Sequence, residues 1–252
     1  VYENEKVVIP VSGGLDSDVV ARLCEQSIGA ERIHLFTLHQ PHMEEKFLKN
    51  AENLAKDLGV SLAVIEPGEM NRELICILKK ADEAIGFNPD SLLDPARANC
   101  AVRTAIICCY QDKGFLVAGN SNRSEIELGF FMPFGDNLGH FKPIAHLYKS
   151  EVKLLAELVH SRKEVIEQAP SAGFWEEEED MEDLAYWLYN GGPVSGTRIF
   201  TDEDDLKVME LKKKLSQEKV DRCLEMISLG EKNDVIISET DMEENIVNAI
   251  RK

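Results

Sequence analysis

Ser12-Gly13-Gly14-Leu15-Asp16-Ser17 is the segment whose residue types most directly imply chemistry. Two glycines let backbone N–H groups approach an anion closely, two serines add hydroxyl donors, and a helix starting behind them aims free N–H groups and a positive dipole end at the same point. Such a nest holds phosphate without lysine. Asp16 is a poor neighbour for bare phosphate, so its presence points to a bridging cation such as Mg²⁺. The same pattern also fits a glycine turn in which Asp16 is a helix N-cap.

That loop needs a strand before it and a helix after it. Lys6 to Val11 is a short β-branched run, and Asp16 to Ile28 places Val19, Val20, Leu23 and Ile28 at helical spacing. The alternation continues with a strand over Arg32 to Leu38, a helix over Met43 to Leu58 stopped by Gly59, and a strand over Ser61 to Ile65. Asn71 to Ala84 reads as a helix broken by Gly86 and Pro89, Pro95 to Asp112 as another helix, and Gly114 to Gly119 as a fully buried strand. Continuous apolar strands alternating with helices predict an α/β fold, a three-layer parallel sheet with helices on both faces. Ligands of such sheets sit at the carboxyl ends of the strands.

Residues 1–165 form this α/β domain, and 166–252 a lid loop and helical C-terminal extension of the same domain. Ser150 to His160 is helical, Glu176 to Asp183 carries seven acids in eight residues, and Gly191 to Gly196 is a loop. Leu206 to Leu229 has helical periodicity, and the last twenty residues are charged and weakly patterned.

Charge narrows the partners. The 252 residues carry 28 Lys and Arg against 46 Asp and Glu, a formal charge of −18. Affinity for nucleic acid comes mostly from neutralising phosphates with Lys and Arg, so nucleic acid and anionic membranes are poor partners, whereas one nucleotide in a local nest is not excluded. The six cysteines form no CxxC pair and suit buried thiols in a reducing cytoplasm. No apolar run approaches the roughly 20 residues of a membrane span.

The loop resembles the pyrophosphate loop of the N-type ATP pyrophosphatases, which cleave ATP between its α- and β-phosphates and adenylate a substrate. Three further segments resemble the NAD synthase branch of that superfamily. Gly119-Asn-Ser-Asn-Arg-Ser-Glu125 is similar to its Gly-Thr-x-Asn-Lys-Ser-Glu pattern; Gly135-Asp136, Pro143-Ile144 and Leu147-Tyr148-Lys149-Ser-Glu-Val152 follow in order; Pro170-Ser171-Ala172-Gly173-Phe174-Trp175, with Asp180 and Leu184 beyond it, resembles its lid. Together they cover about residues 5 to 190.

The resemblance implies an adenine nucleotide alpha hydrolase-like fold and an ammonia-dependent ligase that takes ATP, Mg²⁺ and a carboxylate, nicotinic acid adenine dinucleotide. It implies that Ser12, Gly13, Gly14 and Ser17 hold the leaving pyrophosphate, that Asp16, Glu125 and Ser171 meet Mg²⁺ or the phosphates, and that Lys149 neutralises the α-phosphorus. Arg103 in Asn99-Cys-Ala-Val-Arg103 would contact nucleotide, with Asn120 as a further polar contact and the strand end at Thr37, Leu38 and His39 offering backbone to adenine. Asp136 would face the acid. No glutaminase fits in this length, so ammonia comes free or from a separate partner. A homodimer is implied as well.

The departures from the pattern cluster on the acceptor side. The family's threonine after Gly119 is Asn120, its second arginine is Ala105, the acidic residue of its Gly-Asp-Gly-Gly-x-Asp segment is His140, and the lysine two residues before the lid proline is Gln168. His140 and Gln168 therefore mark the acceptor pocket as altered. His140 could act as a base or be a hydrogen-bonding surface group, and Cys100, Cys108 and Cys109 read as packing thiols. Two rival readings follow. One is the same adenylation serving another acid or a small-molecule sulfur transfer, and the other is a nucleotide-binding module without turnover, which would not need Asp16, Glu125 and Lys149 together.

Overall fold

Val7 and Ile9 turn to one side of the first strand and Val8 to the other, and all three are fully buried. A period of two with both faces covered is what a central parallel strand requires. The computed structural model describes residues 5–39, 43–68, 70–88, 95–132, 135–171, 179–192 and 199–251.

Four strands form the sheet: β1 (Lys6–Pro10), β2 (Ile33–Leu38), β3 (Leu62–Ile65) and β4 (Phe115–Val117). Among the first helices are α1 (Leu15–Ile28), α2 (Glu45–Leu58), α3 (Met70–Ala81), α4 (Pro95–Asp112), α5 (Arg123–Leu128), α6 (Lys149–Leu158) and α7 (Lys163–Ile166). The C-terminal helices are α8 (Asp180–Asn190), α9 (Asp202–Lys212), α10 (Gln217–Ser228), α11 (Asn233–Thr240) and α12 (Glu244–Arg251).

The sheet is wholly parallel in the order β3-β2-β1-β4. The chain steps outward from β1 to β3, then returns through α3 and α4 to the opposite side of β1 at β4. The order thus reverses between β1 and β4, and in such sheets ligands sit beyond the carboxyl ends of the strands at this switch point. Val19 and Val20 of α1, Ala51 and Leu54 of α2, and Val152 and Ala156 of α6 pack on the face of Val7, Ile9 and Leu35. Ile107 of α4 covers Val8, Phe36 and Val117 on the other face, where Tyr110 stacks on Phe36. The expected three layers are present.

Helices α8 to α12 close on a core of their own, including Leu184, Val208, Val220, Ile236, Ile246 and Val247, which also takes in Tyr148. Here the structure corrects three expectations. Leu206 to Leu229 is two helices, because Ser216 starts a new one by accepting the Lys219 N–H. The last twenty residues include the ordered helix α12, whose Ile246, Val247 and Ile250 are buried. Within Gly114 to Gly119, only Val117 and its successors are fully buried; Phe115 and Leu116 are half-buried because β4 is a sheet edge. Pro89 and the span 193–196 lie outside the described residues.

Candidate active site

The phosphate loop fills the turn from β1 to α1, at the switch point. Gly13 has φ +80°, and a Cβ there would meet the Phe47 carbonyl oxygen at 2.0 Å, so only glycine lets the loop rest on α2. Ser17 is buried inside the loop, where its hydroxyl accepts the Ser12 N–H at 3.2 Å and donates to the Gly14 carbonyl at 3.0 Å. Ser12 Oγ accepts the Gly14 N–H at 3.2 Å. Both serines therefore build the loop, in addition to any contact with phosphate. The first helical bond of α1 runs from Asp18 N–H to Gly14 O, which leaves the N–H groups of Leu15, Asp16 and Ser17 outside the helical ladder. Asn50 of α2 braces the loop from below, donating to Gly13 O at 3.1 Å and to Gln168 Oε1 at 2.8 Å.

Beside the loop the structure brings Asp16, Glu125 and Lys149 together. The Lys149 ammonium is ion-paired with Asp16, both side chains being largely buried. Asn122, at the end of the loop after β4, donates to Asp16 Oδ1 at 3.2 Å and Glu125 Oε1 at 2.8 Å, and its own Oδ1 accepts the Glu125 N–H to cap α5. Burial pushes the Glu125 carboxyl up to about 8, with the Asp16 charge adding to the shift and Lys149 opposing it. Burial likewise raises Asp180, against the pull of Lys149. For Lys149 burial disfavours the ammonium, but Asp16, Glu125 and Asp180 outweigh it and hold the pKa above the ordinary lysine value.

Three acidic side chains thus face one ammonium in a buried setting. Asp16 and Glu125 fit Mg²⁺, which takes one or two protein carboxylates and completes its shell with water and phosphate oxygens. Among the described residues no three His, Cys, Asp or Glu side chains are grouped as a protein-only metal cage. Asp180 N–H donates to Pro170 O at 2.9 Å, which brings the chain before Ser171 close to the start of α8. The resembling lid residues Ala172 to Trp175 and the acids Glu176 to Glu178 lie outside the described residues.

The remaining candidates fall in separate places. Arg103 is ion-paired with Asp136, so the residue expected at nucleotide and the one expected at the acid hold each other. Arg103 also donates to Gly135 O at 3.1 Å, and Gly135 admits no Cβ because the Cys100 carbonyl oxygen lies 2.0 Å from that position. Burial pushes the Cys100 thiol up to about 12, which matches a packing role, whereas Cys108 and Cys109 on α4 are exposed rather than packed. His140 is exposed and extends the edge of β4, its Nδ1 accepting the Val117 N–H at 3.0 Å and its own N–H donating to Val117 O at 2.8 Å. Ala105 lies on the exposed side of α4. Thr37 is buried at the end of β2.

Two buried polar atoms at the carboxyl edge, His39 Nδ1 and Asn120 Oδ1, have no hydrogen-bond partner among the described residues. Asn120 spends its amide hydrogen on Pro10 O at 2.6 Å, leaving an acceptor where the sheet ends. Buried polar groups without partners are uncommon and suit a site that receives a polar ligand. The sequence did not single out Asn50 or Asp221, since neither sits in a motif.

A doubly covered parallel sheet with a serine-glycine loop and a lysine–carboxylate cluster at its switch point defines the pyrophosphate-loop class of ATP-using enzymes. The chain belongs to the NAD synthase family, whose model matches residues 1–190. It is 34% identical over 183 residues to the NH(3)-dependent NAD(+) synthetase of Methanocaldococcus jannaschii, a match covering 71% of this chain and 67% of that one. Against the enzyme of the same description from Archaeoglobus fulgidus it is 31% identical, over 88% of this chain and 82% of the relative. Its fold is similar to that of the NH3-dependent NAD synthetase from Campylobacter jejuni, with a TM-score of 0.62, 22% identity, and coverage of 98% and 82%. The NMN synthetase from Francisella tularensis also has a TM-score of 0.62, at 23% identity and coverage of 84% and 88%. No helix of the described residues is long and apolar enough to cross a membrane.

Proposed function

We propose that this chain is an ammonia-dependent NAD synthase, which adenylates the carboxylate of nicotinic acid adenine dinucleotide and then amidates it. The observation that carries this reading is the convergence of Asp16, Glu125 and Lys149 beside the phosphate loop in a chain of this family. A carboxylate oxygen attacks the α-phosphorus of ATP, the bond from that phosphorus to the bridging oxygen breaks, and pyrophosphate leaves toward the Ser12–Ser17 loop. Ammonia then adds to the acyl carbon, the acyl–oxygen bond breaks to release AMP, and the nitrogen loses a proton to solvent.

Lys149 meets the charge that builds on the α-phosphate, where a fixed cation in a buried site counts most. The N–H groups of Leu15, Asp16 and Ser17 receive the leaving pyrophosphate. Asp16 and Glu125 would hold Mg²⁺, which supplies charge neutralisation to the phosphates; Ser171 would contribute from the lid. Asn120 Oδ1 and His39 Nδ1 offer partners to the nucleotide. Arg103, Asp136, His140 and Gln168 are assigned to substrate only through the resemblance, and the Arg103–Asp136 pair leaves each side chain partly exposed.

The same reading makes the enzyme a cytoplasmic homodimer using free ammonia or ammonia from a separate glutaminase. The exposed apolar side chains Met70, Leu74 and Ile77 along α3 support a subunit contact. The test is product analysis with nicotinic acid adenine dinucleotide, Mg·ATP and ammonium. NAD, AMP and pyrophosphate in equal amounts are expected. Pyrophosphate release only with a different acid, or with none, would reject the substrate or the activity respectively.

A further inference from the structure

Asp221 lies on α10, beyond the 1–190 stretch that the family model matches, and is 4% exposed. A buried carboxylate is costly unless its lone pairs are used. Here they are: Ser124 Oγ donates to Oδ1 at 2.6 Å, Gln217 Nε2 donates to Oδ1 at 2.7 Å, and the Ser150 N–H donates to Oδ2 at 2.8 Å. Ser124 Oγ in turn accepts the Lys149 N–H at 2.9 Å.

Lys149 and Ser150 open α6, where N–H groups lack helical acceptors. The carboxylate that satisfies them, directly or through Ser124, comes from a different helix and suits the positive end of the α6 dipole. Glu151 accepts the Tyr148 N–H at 2.8 Å, so the preceding residue is held too. The backbone from which the ammonium reaches Asp16 is therefore fixed by α5 and α10 rather than by α6 alone.

We infer that Asp221 is a positioning residue for Lys149, through which the C-terminal helices set the approach of the ammonium to the nucleotide site. The inference rests on the proposed role of Lys149. It predicts that the C-terminal bundle contributes to turnover without touching substrate.

The test compares wild type, Asp221→Ala, Lys149→Ala and the double variant, with kcat and KM for ATP from pyrophosphate release and Tm for each. Asp221→Ala should lower kcat by about 10- to 100-fold, the scale of a displacement near 1 Å, with KM for ATP changed less than about threefold. In the Lys149→Ala background it should add no further loss. Wild-type kcat in folded Asp221→Ala, or losses that multiply in the double variant, would overturn the inference. Where Asp221→Ala does not fold, Ser124→Ala carries the same comparison.

A second readout needs no turnover. Mass spectrometry after brief acylation of amines should show Lys149 labelled faster in Asp221→Ala or Ser124→Ala than in wild type, with exposed Lys163 unchanged. Equal Lys149 rates would defeat the positioning role, whereas absence of NAD formation by wild type would defeat only the proposed function.

Discussion

Lys149 and Asp16, 133 residues apart in sequence, form an ion pair over the carboxyl edge of the sheet with side chains 12% and 17% exposed. Neither reaches the other without the switch point, which sets α1 beside the segment leading into α6. Asp16→Ala should lower ATP–pyrophosphate exchange by at least about 100-fold, the scale of losing one charge-stabilising group in a dry site. Glu125 and Asp180 still face the ammonium, so the melting temperature should move little. Exchange at the wild-type rate would remove Asp16 from the chemistry.

Gly13 supplies a sharper structural test. Gly13→Ala forces a Cβ against the Phe47 carbonyl at a positive φ, and should cost about 1–3 kcal/mol together with loss of Mg·ATP binding. At Gly14 φ is −91° and a Cβ would approach only Ser12 Oγ, at 3.3 Å. Gly14→Ala should therefore keep the fold. Urea unfolding and calorimetric ATP titration of both variants check the contrast.

Gln168 stands where the family pattern has lysine, and Asn50 links it to Gly13 of the phosphate loop. The resemblance put this position on the acceptor side, but its bond to Asn50 sets it beside the phosphate loop, so Gln168→Lys should place a cation near the leaving pyrophosphate and tighten product inhibition by pyrophosphate about three- to tenfold, a modest gain for a partly exposed charge. An unchanged inhibition constant would show that this position does not face the pyrophosphate.

Acid stability should report Asp57. The Arg162 guanidinium chiefly, assisted by Arg22, holds its carboxyl at about 2 against an ordinary 3.8, with burial opposing. The folded pKa lies below the unfolded one, so the stabilisation is complete above roughly pH 4 and is lost as pH falls toward 2. Asp57→Asn should have a lower urea midpoint than wild type at pH 6, and the two should converge near pH 2. A gap that persists at pH 2 would assign the effect to packing.

The legible parts of the molecule were local. The loop announces itself because its glycines, serines and following helix are contiguous, and Glu125 and Lys149 lie in short ordered blocks. Asn50 and Asp221 carried no such signal, since their importance comes from partners 37 residues away at Gly13 and 71 to 97 residues away at Ser150 and Ser124. The final helices were hidden for a similar reason: Ile246, Val247 and Ile250 gain meaning only once α8 and α10 give them something to pack on. His140 stands out in the sequence by its departure from a pattern, whereas its partners are the backbone of Val117 in β4 and the Gln111 side chain.

That placement of His140 bears on how the protein behaves in a crowded solution. With the Val117 N–H taken by an imidazole and the Gly119 N–H by Phe141 O, the outer side of β4 offers few free groups to an approaching strand. Unprotected sheet edges recruit other chains into intermolecular β-structure. Here a ring and a short return of backbone cover that edge, so β4 itself is a poor template for pairing with another chain.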